Sequence, residues 1–186
     1  MPVRKMWIGF LVVAALVTQV ATAEAKLSLV GRKQARLQAE LTAARKLQIQ
    51  RLRAYANARQ FPRNTYAMGK VNVLIDDDGN ICAAANLMAQ DGRLALVQRL
   101  AAKNNFLRFA DVKSGAAYQW ILHSGLTQEE IALIQEPYWE QPPSVSPEWQ
   151  KQEDDRLHTH FMQTLETLEK NSDKSIALAV TRLMAA

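Results

Sequence analysis

Residues 27–60 contain no proline, and their apolar and neutral side chains recur at helical spacing. One face carries Val30, Leu37, Leu41, Ala44, Gln48, Leu52 and Tyr55. This pattern predicts a long amphipathic helix, with Gly31 as the place where it could break. Its roughly 27 residues after Gly31 would extend about 40 Å, which is more than one small core covers. Pro62 should end the helix, because proline lacks the backbone N–H that would continue it.

The N-terminus is typical of a secretory signal peptide. A basic start precedes the apolar run at residues 6–17, and small residues follow up to Ala25. The apolar run has 12 residues, whereas a membrane-spanning helix needs about 20. We therefore expect removal of residues 1–23, a mature chain that begins at Glu24 (with Lys26 as the alternative start), and no transmembrane span in that chain.

The cysteine content indicates the compartment. Cys82 is the only cysteine, so the chain has no intramolecular disulfide and no cysteine near the leader for lipid attachment. An exported protein of this kind fits a bacterial periplasm or culture medium better than a disulfide-rich extracellular scaffold. We expect a periplasmic or secreted location.

The middle of the chain predicts a small three-stranded sheet. Val71, Val73 and Ile75 alternate with Asn72 and Asp76, a glycine-containing turn follows at residues 77–80, and the apolar run resumes at residues 81–87. A helix at residues 91–103 should follow, and residues 106–112 alternate again. The predicted unit is β-β-α-β.

The remainder predicts helices separated by one extended segment. Short helices are expected near residues 116–122 and 128–135, the second with a capping box from Thr127 and Glu130. Four prolines within residues 137–147 indicate a linker. Ser146 and the following proline then predict the start of a helix to about Lys170, and a last helix covers residues 173–184.

These elements predict an α+β fold with a long N-terminal amphipathic helix, the three-stranded sheet and C-terminal helices. The expected organisation has an α+β domain at residues 24–136 and a proline-rich linker at 137–147. A helical segment at 148–186 should pack on that domain.

Charge is divided between two regions. Residues 26–63 carry ten lysines and arginines and one acidic residue, a balance of +9. Residues 128–186 carry eleven acidic and five basic residues, a balance of −6. The basic helix could bind an anionic lipid or polysaccharide. The residues that we expect to bind are Arg32, Arg36, Lys46 and Arg53.

Two other interpretations apply to the basic helix. It could pack against the acidic C-terminal helices of the same chain, where exposed ion pairs contribute only about 0–1 kcal/mol each. Nucleic acid is not expected as a partner, because export removes it and no recognised binding motif accompanies the charge.

Aromatic side chains flank the proline-rich segment. Tyr138 and Trp139 precede it and Trp149 follows it, so a stiff backbone could present rings to a sugar or a partner protein. The same rings could instead hold the segment against the core.

The candidates for nucleophilic catalysis are His123, Ser124 and Cys82. His123 precedes Ser124 directly, but triads are recognised in space and the G-x-S-x-G spacing is absent. Cys82 lies among alanines, a setting typical of an inert core residue.

Candidate metal ligands are equally sparse. Asp154 and His158 lie four residues apart and would share a helix face, while His160 points elsewhere. The acidic turn at residues 76–80 does not match the EF-hand register. No cofactor is predicted.

Together these features predict an exported bacterial envelope protein that acts as a non-enzymatic binding or assembly module. Its partner would be an envelope protein or an anionic lipid or polysaccharide. The alternative is a periplasmic hydrolase or metal-dependent enzyme whose site is assembled from dispersed histidine, cysteine and aspartate residues.

Overall fold

The structure, a computed structural model, describes the backbone of residues 7–185 and the side chains of residues 29–185. The predicted leader, residues 1–23, lies outside the described side chains. Within the described part the chain is mostly helical. The helices are α1 (Trp7–Ala58), α2 (Ala83–Met88), α3 (Leu94–Lys103), α4 (Gly115–His123), α5 (Gln128–Ile134), α6 (Pro147–Lys170) and α7 (Ser172–Ala185), and the strands are β1 (Lys70–Val71) and β2 (Tyr138–Trp139).

The chain divides into two compact units between Ala39 and Glu40. The second unit contains a hydrophobic core in which α1 and α6 meet through three aromatic rings. Tyr55, Phe61 and Phe161 have centroids 5.4–5.5 Å apart in every pairing. Such pairs contribute about 0.5–1.5 kcal/mol each beyond the area that they bury.

The sheet has two strands, so the three-stranded β-β-α-β prediction is wrong. β1 and β2 are antiparallel, with Lys70 opposite Trp139 and Val71 opposite Tyr138. The second strand comes from residues 137–147, the predicted linker, which is therefore hydrogen-bonded to β1 at its start.

The predicted second strand, residues 81–87, is mostly helix α2, and Cys82 is its N-cap. The turn before it is present: the Asp76 N–H donates to Asn80 O at 3.0 Å. A single bridge between Ile75 and Ile81 is what remains of the hairpin. Alanine favours helix over strand, and nearly every side chain of α2 is buried, so the sequence shows no polar face that would reveal the helical period.

The predicted third strand, residues 106–112, contains a 3₁₀ turn at Phe109–Asp111. Phe109, one of the apolar residues that suggested a strand, is fully buried at the start of this turn. Asn105 makes the contact that a strand would have made: its side chain receives the Ile75 N–H at 3.0 Å and donates to Ile75 O at 2.8 Å.

The helix signals of the sequence are confirmed. α1 passes Gly31 without a break and ends before Pro62. The capping box of α5 is complete, with Thr127 accepting from the Glu130 N–H. Ser146 caps α6 through the Trp149 N–H. Among the residues described, none of the helices has both the length and the apolar character required to cross a membrane.

Candidate functional site on the basic helix

The five arginines within residues 45–63 each pair with a carboxylate of the same chain. All but one of these carboxylates belong to the acidic residues 128–186. The pairs are Arg45 with Glu130 (2.7 Å), Arg51 with Asp91, Arg53 with Glu169 (2.6 Å), Arg59 with Asp155 (2.6 Å) and Arg63 with Asp154 (2.9 Å). Intramolecular pairing therefore accounts for this part of the basic segment.

Arg45 is buried, with 1% of its surface exposed. Its two terminal nitrogens donate to both oxygens of Glu130, at 2.8 and 2.7 Å. Nη1 also donates to Gly125 O at 3.1 Å, and Nη2 to Leu168 O at 2.5 Å. These four hydrogen bonds replace the water that the guanidinium loses on burial. A buried charge without such partners would destabilise the fold by several kcal/mol.

Glu130 connects three further segments. Its carboxylate receives the Thr127 N–H at 2.8 Å, which closes the capping box of α5. It also accepts from Ser175 Oγ on α7 at 2.7 Å. One buried ion pair thus fixes α1 against α5, α6 and α7.

Sequence reasoning missed the burial of Arg45, although a signal existed. Leu41, Arg45, Gln48, Leu52 and Tyr55 follow one another at spacings of four and three, and all five are buried. An arginine in such a series, in a chain with an acidic C-terminal region, indicates a buried pair rather than a solvated charge.

The other ion pairs in this set are more exposed. Arg53 and Glu169 have side chains 45% and 51% exposed, so their pair contributes at most about 1 kcal/mol. Asp155 accepts hydrogen bonds from Lys151 and Arg59, which lower the pKa of its carboxyl to about 2.

Residues 29–36 are exposed at every position. Leu29 is 59% exposed and Val30 44%, and the basic side chains of Arg32, Lys33 and Arg36 lie beside them in sequence. Leu41 is the first buried residue among the side chains described. Of the four predicted binding residues, Arg32 and Arg36 belong to this exposed stretch.

The other two predicted binding residues, Lys46 and Arg53, are also exposed. They line a cleft of about 460 Å³ at the junction of α6 and α7, where Glu169 and Ser172 form part of the opposite wall. Arg45 borders the same cleft.

The two predicted aromatic binding residues lie in different environments. Tyr138 is 2% exposed and belongs to the core. Trp139 is 49% exposed, and Lys70 Nζ lies 5.8 Å from the centre of its ring. Only the Trp139 ring is presented to solvent.

The structure does not arrange the three nucleophile candidates as a catalytic group. Ser124 is buried, and its Oγ donates to Ile121 O at 2.8 Å and accepts from the Leu126 N–H. His123 is exposed on the preceding turn. Cys82 is fully buried, which raises the pKa of its thiol to about 12.

The three metal-ligand candidates do not form a metal-binding group, and two of them have polar partners within the protein. Asp154 pairs with Arg63 and accepts from Gln150 at 3.0 Å. His158 is half-buried, and His160 Nε2 lies 2.9 Å from Leu133 O. Among the described side chains there is no group of three or more potential metal-ligating histidine, cysteine or acidic residues.

Asp91 was not singled out by the sequence. It lies at the break between α2 and α3, beside Gly92 with φ of +75°. Burial alone would raise the pKa of Asp91, but hydrogen bonds from Arg51, Trp120 and Gln48 lower it overall. The Trp120 and Gln48 bonds are both 2.7 Å long, so this carboxylate fixes α1 and α4 to the break.

Glu136 is a second acidic centre that sequence reasoning missed. Lys70 Nζ and Arg156 Nη1 both donate to its Oε1 at 2.5 Å, and His160 Nδ1 lies 3.6 Å from Oε2. Partial burial raises the pKa of Glu136, but these neighbours lower it overall. The cluster ties β1 to α6 and has no uncompensated carboxylate available for acid–base chemistry.

Comparison with protein-family models, with curated proteins and with solved structures finds no match to this chain. The assignment of function therefore depends on the geometry described above.

Proposed function

We propose that this chain is an exported bacterial envelope protein and a non-enzymatic binding module, and that it contacts an anionic surface through Arg32, Lys33 and Arg36. The observation that carries this proposal is the continuous exposure of residues 29–36, where three basic side chains lie beside the two exposed apolar side chains of Leu29 and Val30. From Leu41 onward α1 also contributes buried side chains to the fold, among them Arg45.

The exposed apolar residues favour a lipid surface over a polysaccharide. Leu29 and Val30 are largely accessible and lie within one helical turn of Arg32 and Lys33. Side chains of this kind insert at the boundary between headgroups and acyl chains, while the cations remain among the phosphates. A polysaccharide offers charge but no apolar phase to bury them.

The expected strength is moderate. Each basic residue near an anionic membrane surface contributes about 1 kcal/mol. Three such residues therefore contribute about 3 kcal/mol, or roughly a hundredfold in partition coefficient. The contribution should fall with salt, since the Debye length shrinks from about 10 Å at 0.1 M to about 3 Å at 1 M.

Two measurements test the proposal. N-terminal sequencing of exported material should find a chain beginning at Glu24 or Lys26, and a chain beginning at Met1 would contradict export with cleavage. The exported protein should co-float with phosphatidylglycerol-containing vesicles at 0.15 M salt and dissociate at 1 M. Equal flotation with neutral phosphatidylcholine vesicles would contradict the electrostatic contact.

A further inference from the structure

A separate cleft lies where the last turns of α1 meet the turn at residues 79–81 and helix α2. Its volume of about 360 Å³ is within the usual range for small-ligand sites. Ala54 and Ala58 supply the α1 wall, since positions four apart share a helix face. The cleft is formed entirely by residues after position 40, and it includes none of the exposed basic residues 29–36.

The lining of this cleft carries four side-chain amides and no charge. Asn80 and Asn86 are half-buried, and Gln60 and Gln90 are exposed. Among the described residues that line the cleft, none is acidic, basic or a histidine. A charged ligand would lose water here without gaining a counter-ion, so the lining favours an uncharged ligand.

Both asparagine amides are oriented by neighbouring groups. Asn80 Nδ2 donates to Asp76 Oδ2 at 2.9 Å, and because a carboxylate only accepts, Oδ1 is the Asn80 atom left for a ligand. Asn86 Oδ1 accepts from Gln90 Nε2 at 2.5 Å, which leaves Asn86 Nδ2 as a donor. Within the described part of the chain, neither Asn80 Oδ1 nor Asn86 Nδ2 has a hydrogen-bond partner. The cleft therefore offers an oriented acceptor and an oriented donor.

The apolar part of the lining is small. Ala54, Ala58 and Ile81 contribute short or half-buried side chains. The Tyr55 ring is 7% exposed, and its hydroxyl donates to Ile81 O at 3.0 Å, so little aromatic surface is available for stacking. A methyl group suits such a wall better than a large ring does.

We infer that this cleft binds the acetamido group of an N-acetylated amino sugar. The acetamido N–H donates to Asn80 Oδ1, its carbonyl accepts from Asn86 Nδ2, and its methyl group packs on the two alanines. The ring hydroxyls both donate and accept, as do the carboxamides of Gln60 and Gln90. A peptide group contains the same amide but has no hydroxyls beside it, so the sugar uses more of the lining.

The test is an NMR titration of the exported chain with chitotriose, a trimer of N-acetylglucosamine, and with cellotriose, the glucose trimer without acetamido groups. The side-chain amide signals of Asn80 and Asn86 should shift and saturate with chitotriose alone. Because the ligand is uncharged, added salt should not change the affinity, unlike the contact proposed for residues 29–36. Failure of this titration would therefore leave that contact intact.

Three results of the titration would overturn the inference. Equal binding of cellotriose would show that hydroxyls suffice and that the acetamido group is not recognised. Saturation by N-acetylalanine methylamide with the affinity of chitotriose would assign the cleft to a peptide. Absence of saturation with chitotriose would mean that the cleft does not bind such a sugar.

Two matched variants locate the binding in the cleft. Ala58→Leu fills the α1 wall and should abolish saturation, whereas Ala43→Leu makes the same change at an exposed position of α1 outside the cleft and should bind like the unmodified chain. Leucine is a good helix former, so both variants should keep dispersed amide spectra. Equal affinities of the two variants would overturn the assigned site.

Asn86→Ala tests the donor directly. Alanine suits helix α2, and loss of one hydrogen bond to the ligand should weaken chitotriose binding about tenfold. A folded Asn86→Ala variant with unchanged affinity would contradict the role assigned to Asn86 Nδ2.

Discussion

The guanidinium of Arg45 on α1 donates two hydrogen bonds to the carboxylate of Glu130 on α5, at 2.8 and 2.7 Å, and both residues are buried. Double pairing of this kind fixes both distance and orientation, since the planar fork of arginine matches the two carboxylate oxygens. The α5 capping box and Ser175 share the same carboxylate. Packing of α1 against the C-terminal helices should therefore depend strongly on this one pair.

Replacement of Glu130 by glutamine should destabilise the fold by about 3–5 kcal/mol, because it leaves the buried charge of Arg45 without a counter-ion. The matched control is Glu129→Gln at the neighbouring position. Glu129 is 72% exposed and lies 3.4 Å from Arg182, so that variant should lose at most about 1 kcal/mol. Urea denaturation of both variants measures the difference, and equal losses would mean that the buried pair contributes little.

Gly125 should tolerate no side chain. Its φ is +76°, and an added Cβ would lie 2.3 Å from Leu41 O and 2.5 Å from the Arg45 backbone nitrogen. We expect Gly125→Ala to cost about 4 kcal/mol or more, since backbone strain adds to a clash with backbone atoms that cannot move aside.

The control for that variant is Gly92→Ala, which isolates the strain. Gly92 has φ of +75° but nothing within 4 Å of the added Cβ. The free energy of unfolding of the alanine variant should fall by only about 1–2 kcal/mol. If the two variants unfold at similar urea concentrations, the close approach of α1 to Gly125 is not present in solution.

The α-helices were predictable from the sequence because their signals are local. The Thr127 and Glu130 capping box and the Ser146 cap before Pro147 involve residues within one turn, and the structure contains both. The sheet was not predictable, because β1 and β2 pair across 67 residues through two-residue strands. Segments that short carry no usable alternation, and their pairing is decided by tertiary contacts.

Cys82 provides a test of the corrected α2 assignment. As the N-cap of α2 it lies beside the N–H groups of Ala84 and Ala85, and a serine hydroxyl at an N-cap accepts from such groups. Cys82→Ser should therefore be less destabilising than Cys82→Ala, which supplies no acceptor at the N-cap and loses the packing of the sulfur, by about 1 kcal/mol. The opposite order in thermal unfolding would favour a strand at this position.

The reactivity of the same thiol reports on burial. Because burial raises the pKa of Cys82 to about 12, almost no thiolate exists at pH 8, and the side chain is inaccessible. An aromatic disulfide reagent should label the native protein far more slowly than the urea-unfolded chain. Rapid labelling of native protein would show an accessible thiol and revive it as a candidate nucleophile.

Stability should fall below about pH 4 through Asp155. Hydrogen bonds from Lys151 and Arg59 lower the pKa of its carboxyl to about 2 in the folded protein, against about 3.9 in an unfolded chain. The stabilising contribution is therefore complete above the unfolded value and is lost as the pH falls through the folded value. Urea titrations between pH 5 and pH 2 should show a shallower decline in a Lys151→Gln/Arg59→Gln variant than in the unmodified chain.

The sequence only partly predicts which candidate binding residues contact other parts of the fold. Arg32 and Arg53 are both exposed basic positions on one helix, and composition does not show that Arg53 faces Glu169. That contact arises from the fold, which brings α6 alongside the later part of α1. The cleft at Lys46 was likewise invisible, because it requires the junction of α6 and α7 to lie beside α1.

The most direct test of the account compares two triple variants in vesicle flotation at 0.15 M salt. Arg32→Gln/Lys33→Gln/Arg36→Gln removes the exposed charges that we propose to contact an anionic surface. Arg93→Gln/Arg99→Gln/Lys103→Gln removes the same net charge from exposed positions around α3. We expect the first variant to lose roughly a hundredfold in its partition coefficient on phosphatidylglycerol vesicles, and the second to bind like the unmodified protein. Equal partition of the two variants would contradict the contact proposed for Arg32, Lys33 and Arg36.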